Sequence, residues 1–434
     1  MTIFLSVSDD GKTTTISSDV TSQIIEVIHT DMVQWAANYD GPKFHAAIGD
    51  TPYHLTSITE RFGGKDAVAA KTESDGGFNN RRAGGFMHQE WDGTNYVSFK
   101  PETWQNLGQT LHPGALLFMF GSSRTHWKMQ LAQEQAGLDL YPIQWGWTYG
   151  TGMCTPAPVA SKLGDDWKGY RYGADILTPA LEPIVISQNP YPKNARRLDV
   201  IESTGAGTFN REAARNEKGN LPKNLYVQHN FDCTPEQCSA NCPAYDFKGN
   251  QVYYNEFYWV YEVAERVMGM PGLFYQAKPT NAEREFGLDS LPATIQHRAN
   301  SGGMANDPSW GPKASKNPHP TLKPIELTKQ LAAALLPPES AISEPSRLIC
   351  PFGGVGSEAI GAILAGWNHI VITEITENYI PVCVNRVASW LEFVESNSTT
   401  DVREILSSWG KSGDKSQGAT QLSLTEPVQV GLGI

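Results

Sequence analysis

The chain is short of cysteine, short of basic charge and without any long apolar run, and each shortage removes a class of protein. Six cysteines in 434 residues do not make a disulfide scaffold, so a reducing, cytoplasmic setting is expected. Lys and Arg number 34 against 46 Asp and Glu, a net charge of −12. That balance argues against a protein that coats nucleic acid non-specifically, since such binding works by neutralising phosphates; a local basic cleft stays compatible with it. No stretch of roughly eighteen consecutive apolar residues occurs, the length a membrane span needs. The start, Met1-Thr2-Ile3-Phe4, has no basic region ahead of an apolar stretch, so neither a span nor a secretory leader is expected. The length suffices for a sizeable core and two or three structural units.

What the chain does have is alternating strand and helix patterns at both ends, separated by an irregular middle. Residues 1–20 are polar and weakly patterned, a ragged start or an edge strand. Residues 24–28 read as a strand, with Asp31 in an N-capping position ahead of a helix over 32–39. A second strand at 44–48 completes a tight strand–helix–strand unit of the kind found in parallel sheets. Its loop, Asp50-Thr51-Pro52-Tyr53, falls beyond a strand's carboxyl end, where open parallel sheets bind ligands. Residues 61–95 read as a long loop. A helix at 101–111, a strand at 115–120, a helix at 125–136 and a strand at 143–145 fill out a first half, 1–150. Residues 151–315 are rich in glycine and proline and poor in periodic segments. Regularity returns in 316–400, with a helix at 324–336 stopped by Pro337-Pro338 and another from Ser357. A flexible tail is expected over 401–434, with fraying beyond about Ser408.

The densest signal is Leu348-Ile349-Cys350-Pro351-Phe352-Gly353-Gly354-Val355-Gly356-Ser357. A short apolar strand runs into glycines and then into a helix, and the next strand ends at Glu374. Glycines let backbone approach a ligand, and the carboxylate can hold ribose hydroxyls, so the arrangement suits a nucleoside cofactor. Gly354-x-Gly356-x-x-Ala359 also satisfies a dinucleotide pattern. Against that reading, Pro351-Phe352 stands where a pyrophosphate site would expose amides, and few residues follow the unit. A bare structural turn is the third option.

The tetrapeptide at 50–53 fits a particular chemistry. The exocyclic amino group of adenine or cytosine is a poor nucleophile because its lone pair is delocalised into the ring. A carboxylate and a main-chain carbonyl that accept its two hydrogens draw the nitrogen towards tetrahedral geometry, and a stacked aromatic ring fixes the base plane. Asp50, the Thr51 carbonyl and the Tyr53 ring could supply these functions, with Pro52 stiffening the turn. In isolation the four residues are equally a strand-end turn.

The two segments together carry a resemblance. The chain is similar, over roughly 23–395, to amino-methylating DNA methyltransferases of the beta arrangement, in which the catalytic tetrapeptide precedes the cofactor glycines, and in particular to phage and prophage members. Further matches are Glu90-Trp91-Asp92, Leu111-His112-Pro113-Gly114, Gly121-Ser122-Ser123-Arg124-Thr125-His126, Leu181-Glu182-Pro183-Ile184-Val185, Phe274-Tyr275-Gln276-Ala277-Lys278 and, the most specific, His319-Pro320-Thr321-Leu322-Lys323-Pro324. The resemblance implies an α/β, Rossmann-like S-adenosylmethionine-dependent methyltransferase fold with circularly permuted motif order. Residues 1–150 would be the catalytic half, 316–400 the cofactor half and 151–315 an irregular target-recognition insert. It implies that Phe352, Gly353, Gly354, Gly356 and Ser357 line the cofactor and that Glu374 holds its ribose. Asp31 would lie near its adenine, and Thr321 and Lys323 near its carboxylate; Lys323 is otherwise a solvated helix-start lysine. Members with Asp at the first catalytic position mostly modify adenine, so adenine is expected over cytosine. Two departures stand out: Thr51 replaces the usual proline, and Cys350 replaces the usual aspartate before Pro351-Phe352.

Three further features remain. Cys233, Cys238 and Cys242, with His229 upstream, could hold a structural zinc in the insert, and free or buried cysteines are the alternative. Basic residues Lys193, Arg196, Arg197, Arg211, Arg215, Lys218 and Lys223, interleaved with Asn210, Asn220 and Asn224, suit base edges at the mouth of the site, with Arg124 beside them. Asp199, Glu202, Glu212 and Glu217 dilute that patch into what could be a solvated mixed surface. The expected partner is double-stranded DNA, with a homodimer left open. Functionally, site-specific methylation of a flipped base competes with a DNA-binding decoy that keeps the fold but has lost turnover through Thr51 and Cys350. Methylation of RNA or of a protein amide is a third reading.

Overall fold

The computed structural model describes residues 2–54, 96–142, 145–148, 157–172, 181–213, 225–226, 279–296, 313–319 and 321–411. The loop at 61–95, Glu90-Trp91-Asp92, Phe274 to Lys278, Cys233, Cys238, Cys242, His229, Arg215, Lys218, Lys223, Pro320 and residues 412–434 lie outside the described residues.

Eleven strands form one sheet among the described residues. The polar opening is a hairpin, β1 (Ile3–Val7) and β2 (Thr13–Ser18), laid antiparallel on β3 (Ile24–His29). β4 is Phe44–Asp50, β5 Leu111–Phe120, β6 Asp139–Leu140, β7 Trp145–Thr148, β8 Leu181–Gln188 and β9 Leu225–Tyr226. β10 (Arg347–Cys350) and β11 (His369–Glu374) come last in the chain but lie in the middle of the sheet. The spatial order is β1-β2-β3-β11-β10-β4-β5-β8-β7-β9, with β6 against β8. From β3 to β5 all pairings are parallel, and β8 is antiparallel to β5. This is the Rossmann-like α/β architecture that the resemblance implies.

Alternation along the parallel strands explains the layers, because successive side chains point to opposite faces. Ile25, Val27, Ala46, Ile48, Phe118, Leu348, Ile370 and Ile372 face one side. They are covered by α6 (Ile325–Leu335), α7 (Ser357–Ala365) and α8 (Ile380–Asn397). Phe44, Ala47, Leu117, Met119, Ile349 and Val371 face the other. Their cover is α1 (Met32–Ala37), α2 (Pro101–Thr110) and α3 (His126–Gln135). Both faces are therefore apolar, and the strands read as near-continuous hydrophobic runs.

Two expected boundaries shift. Part of the span 151–315 belongs to the main body: β8 sits inside the sheet, and α4 (Arg197–Thr204) follows it. Phe286, just after α5 (Asn281–Glu285), is buried against Trp390, Phe393 and Trp409. The tail expected from 401 starts instead with a helix, α9 (Val402–Lys411), which buries Val402, Ile405 and Leu406. Its apolar residues recur at helical spacing, so packing into the core beside α5 and Phe286 outweighs the polar composition around them. No helix among the described residues is long and apolar enough to cross a membrane.

Candidate active site

β10 and β4 are neighbours, with Leu348 level with Ala46 and Ile349 level with Ala47. Continuing that register brings the loop after Asp50 alongside the glycine turn after Cys350. The approach is close: a Cβ on Gly49 would lie 2.7 Å from the Pro351 carbonyl oxygen. The sheet changes winding direction between these two strands, the place where open α/β sheets bind ligands. The two segments singled out from the sequence therefore form one site.

On the β10 side, Gly354 and Gly356 take left-handed φ values of +52° and +83°, which favour glycine. Phe352 also adopts a positive φ, +57°, a strained conformation for a bulky residue. The Gly354 amide donates to Glu374 Oε2 at 2.8 Å, and the Thr376 amide donates to Oε1 at 2.6 Å. Burial pushes the Glu374 carboxyl up, while these amide bonds pull it down. Ser357 is buried at the first turn of α7, its hydroxyl without a hydrogen-bond partner and its carbonyl accepting from Thr328 Oγ1. The buried Arg386 on α8 braces the turn through a 2.6 Å bond to the Val355 carbonyl. Asp31 follows β3, beside the end of β11, where Thr30 N–H donates to the Glu374 carbonyl. Its carboxylate caps α1 by accepting from the Val33 and Gln34 amides, as its N-capping position predicts. Backbone room, an orphaned buried hydroxyl and an acid at the neighbouring strand end fit the nucleoside and amino-acid parts of S-adenosylmethionine.

On the β4 side the loop is pinned at several points. Thr51 Oγ1 donates to the Phe120 carbonyl at 2.8 Å, Ser98 Oγ to the Pro52 carbonyl at 2.7 Å, and Thr125 Oγ1 to the Tyr53 carbonyl at 2.8 Å. The next residue, His54, is buried with φ +45°. Among the described residues no donor reaches the Thr51 carbonyl, and Asp50 Oδ1 is buried without a hydrogen-bond partner. Asp50 Oδ2 instead meets Lys323 Nζ at 2.5 Å. Lys323 Nζ also lies 3.4 Å from Glu182 Oε2, and the Tyr53 hydroxyl donates to that same oxygen at 2.8 Å. Burial pushes the Asp50 carboxyl up, with the Lys323 ammonium pulling against it. For Lys323 itself burial works downward, but the Asp50 and Glu182 carboxylates outweigh it and its value ends raised.

The segment 319–323 joins the two sides. A Cβ on Gly354 would lie 2.8 Å from His319 Nε2, while Lys323, four residues on, reaches Asp50. Lys323 therefore faces the Asp50 loop; Thr321 lies between, half-buried. Glu182, Glu358 and His319 are not among the site residues expected from the sequence. Glu182 and His319 lie in matched segments but carry no role there, and Glu358 gives no local signal beyond a charge in an apolar helix.

The arginine patch divides. β8 runs antiparallel to β5, so Glu182 starts at the Asp50 end while Gln188, level with Leu116, finishes at the far end. α4 follows, putting Arg196 and Arg197 there, Arg196 3.7 Å from Asp199 and Arg197 over the Tyr191 ring. Arg211 is exposed beside Asn210, whose amide donates to the Ala334 carbonyl near the far end of α6. These three do not line the mouth of the site. Arg124 is the residue immediately before Thr125, whose hydroxyl holds the Tyr53 carbonyl. A groove of about 470 Å³ lined by Phe209, Leu336, Pro337 and Gly366 also opens at the far end, away from Asp50. His45, His112 and Glu344 gather there as well. The Arg347 amide donates to His45 Nδ1, leaving the proton of the neutral ring on Nε2, which does not suit a metal ligand.

The strand order defines a Rossmann-like α/β protein. No family model and no curated protein sequence matches the chain. Solved structures similar to it include DNA methyltransferases. They include a candidate DNA modification methylase from Thermus thermophilus complexed with S-adenosyl-L-methionine, 12% identical over 84% of this chain and 95% of that one, TM-score 0.34. The M1.HpyAVI–SAM complex is 12% identical over 83% and 99%, TM-score 0.36. The cytosine-N4-specific PvuII DNA methyltransferase is 9% identical over 89% and 92%, TM-score 0.40. The superpositions are loose, and the fold is read from the strand order itself.

Proposed function

We propose that this protein is a DNA methyltransferase that moves a methyl group from S-adenosylmethionine to the exocyclic amino nitrogen of a flipped base, adenine in preference to cytosine. The observation that carries the reading is the pair of unfilled acceptors, Asp50 Oδ1 and the Thr51 carbonyl, in a loop packed against the glycine turn. An amino group has two hydrogens, and the loop leaves two acceptors. When bound, the cofactor supplies an electrophilic methyl carbon on a sulfonium. Phe352 to Ser357 and Glu374 would hold its amino-acid and ribose parts, and Asp31 would lie towards its adenine.

Asp50 and Thr51 would each accept one amino hydrogen, localising the nitrogen lone pair for attack. Tyr53, its hydroxyl tied to Glu182, would present its ring to the base. The methylated nitrogen carries one proton too many, and Asp50 would take it and pass it on to water. Asp50 in place of a serine supports adenine. A DNA substrate would place this work in the cytoplasm, and Arg124 would meet its phosphates at the rim.

Incubating the protein with labelled S-adenosylmethionine and unmethylated duplex DNA tests this directly, with long-read mapping of DNA from expressing cells to give base and context. Label on adenine N6 supports the reading in full, and label on cytosine N4 corrects the base. Cofactor binding without any transfer indicates a decoy. RNA and protein offered in competition would expose a different acceptor.

A further inference from the structure

We propose that Lys323 is the electrostatic positioning partner of Asp50, keeping that carboxylate ionised as an acceptor for the target amino group, and that Glu182 fixes the lysine in place. The proposal rests on the methyl-transfer reading above. Lys323 is 2% exposed, and its ammonium is shared between Asp50 at 2.5 Å and Glu182 at 3.4 Å. It also stands over the Tyr53 and Phe120 rings, 5.4 and 5.1 Å from their centroids. One cation thus touches the acid, the aromatic ring and the anchor of that ring.

The need for it follows from what else faces Asp50. Glu182 approaches from β8, the Tyr53 phenol from the same loop, and Glu358 from the first turn of α7. These are acids or a neutral phenol, and Lys323 is the cation among them. A carboxylate removed from water takes up a proton unless a partner compensates. Burial and Glu182 both push Asp50 towards the protonated form, and Lys323 opposes them. Without the lysine Asp50 would hold a proton of its own, and an amino hydrogen would lose its strongest acceptor. Because Lys323 uses Oδ2, it leaves Oδ1 open. Glu182 pairs with the Lys323 ammonium and accepts from the Tyr53 hydroxyl, so it sets the lysine and the ring together.

The test compares the full-length wild type with Lys323→Met, Lys323→Arg and Glu182→Gln. Label transfer to unmethylated duplex DNA is followed across pH, and S-adenosylmethionine affinity is read by calorimetry. In Lys323→Met the acid limb of kcat should move to higher pH by about one unit or more, with about a tenfold loss at neutral pH. Its cofactor affinity should stay within about threefold of wild type. Lys323→Arg should restore the limb. Glu182→Gln keeps an acceptor for Tyr53 but removes a negative neighbour, so its limb should move to lower pH, a sign that general loosening would not produce. If Lys323→Met does not fold, the direction of the Glu182→Gln shift decides alone. Active wild type with unmoved limbs, or Lys323→Met that loses cofactor affinity instead, overturns the proposal alone. Wild type that transfers no label overturns the methyl-transfer reading, and this proposal with it.

Discussion

Gly353→Ala isolates one contact on which the glycine turn depends. Gly354 and Gly356 sit at positive φ, but Gly353 does not, so alanine is sterically permitted by its own backbone. The obstacle is a neighbour: the added Cβ would lie 2.2 Å from Ile372 Cγ2, where carbon atoms normally rest about 3.5–4.0 Å apart. Ile372 is fully buried on β11 and paired to Cys350 on one side and Val27 on the other, so it has little room to recede. The turn must lift instead. That would stretch the 2.8 Å bond from the Gly353 amide to the Thr373 carbonyl and the 2.8 Å bond from the Gly354 amide to Glu374. Overpacking of this kind costs about 1–3 kcal/mol, and each weakened bond adds about 1 kcal/mol. Urea unfolding should therefore show a loss of about 3–5 kcal/mol, and calorimetry should show weakened S-adenosylmethionine binding. Ile372→Ala removes the offending methyl at its own cavity cost of about 2–5 kcal/mol. Combined with Gly353→Ala it should cost less than the sum of the two by about 1–3 kcal/mol. Strict additivity, or a Gly353→Ala protein as stable as wild type, would refute the steric argument.

Thr51→Val keeps shape but removes the bond to the Phe120 carbonyl, and should destabilise by about 1–2 kcal/mol and lower kcat more than it raises the cofactor KM; unchanged kcat would show that the hydroxyl does not aim the loop. Burial pushes the Glu358 carboxyl up to about 7 from 4.5. The folded state then binds more protons than the unfolded one between those values, and stability falls as pH rises through the window. Glu358→Gln, neutral throughout, should flatten that decline in thermal melts, and parallel curves would contradict it. Ile405→Ala should cost about 2–5 kcal/mol in urea unfolding if α9 is part of the core, and a surface-like effect would detach that helix. In salt titrations of duplex binding, Arg124→Ala should reduce the slope by about one, whereas Arg197→Ala should leave it unchanged; the reverse pattern would relocate the DNA path.

Legibility follows the range of the interactions. Helix and strand patterns near residues 24–48 and 324–374 can be read because period and caps are local; Asp31 announces α1 and then caps it with its own carboxylate. The meeting of Asp50 with the glycine turn is legible only as a chemical pairing of two distant motifs. Its structural cause is that β10 and β11, last in the chain, insert between β3 and β4, which no local pattern encodes. Arg196 and Arg197 lie far from Asp50 for a reason not written locally: an antiparallel β8 carries the chain to the far end of the sheet at Gln188, and α4 follows there. The pairing of Lys323 with Asp50 and Glu182 is not legible, since a lysine between two carboxylates looks, in sequence, like any helix-start lysine. α9 is hidden by polar composition, its apolar residues gaining meaning only from the Trp390 and Phe286 surface that receives them.

The two departures from the family pattern have different physical weight. Proline would stiffen the loop by its ring, and Thr51 achieves attachment by another route, its hydroxyl tied to the end of β5 while its carbonyl stays open. The geometry asked of the position survives the change of residue. Cys350 is buried in the core beneath α7; burial pushes its thiol up, and the Glu358 carboxylate pushes it further. A neutral thiol there removes an acidic group from the end of β10, yet Glu358 brings one into the same neighbourhood from the helix that follows. Taken one position at a time, the sequence shows a lost carboxylate. In the fold the region keeps an acid, carried on a helix turn rather than a strand end, where its proton depends on burial near neutral pH.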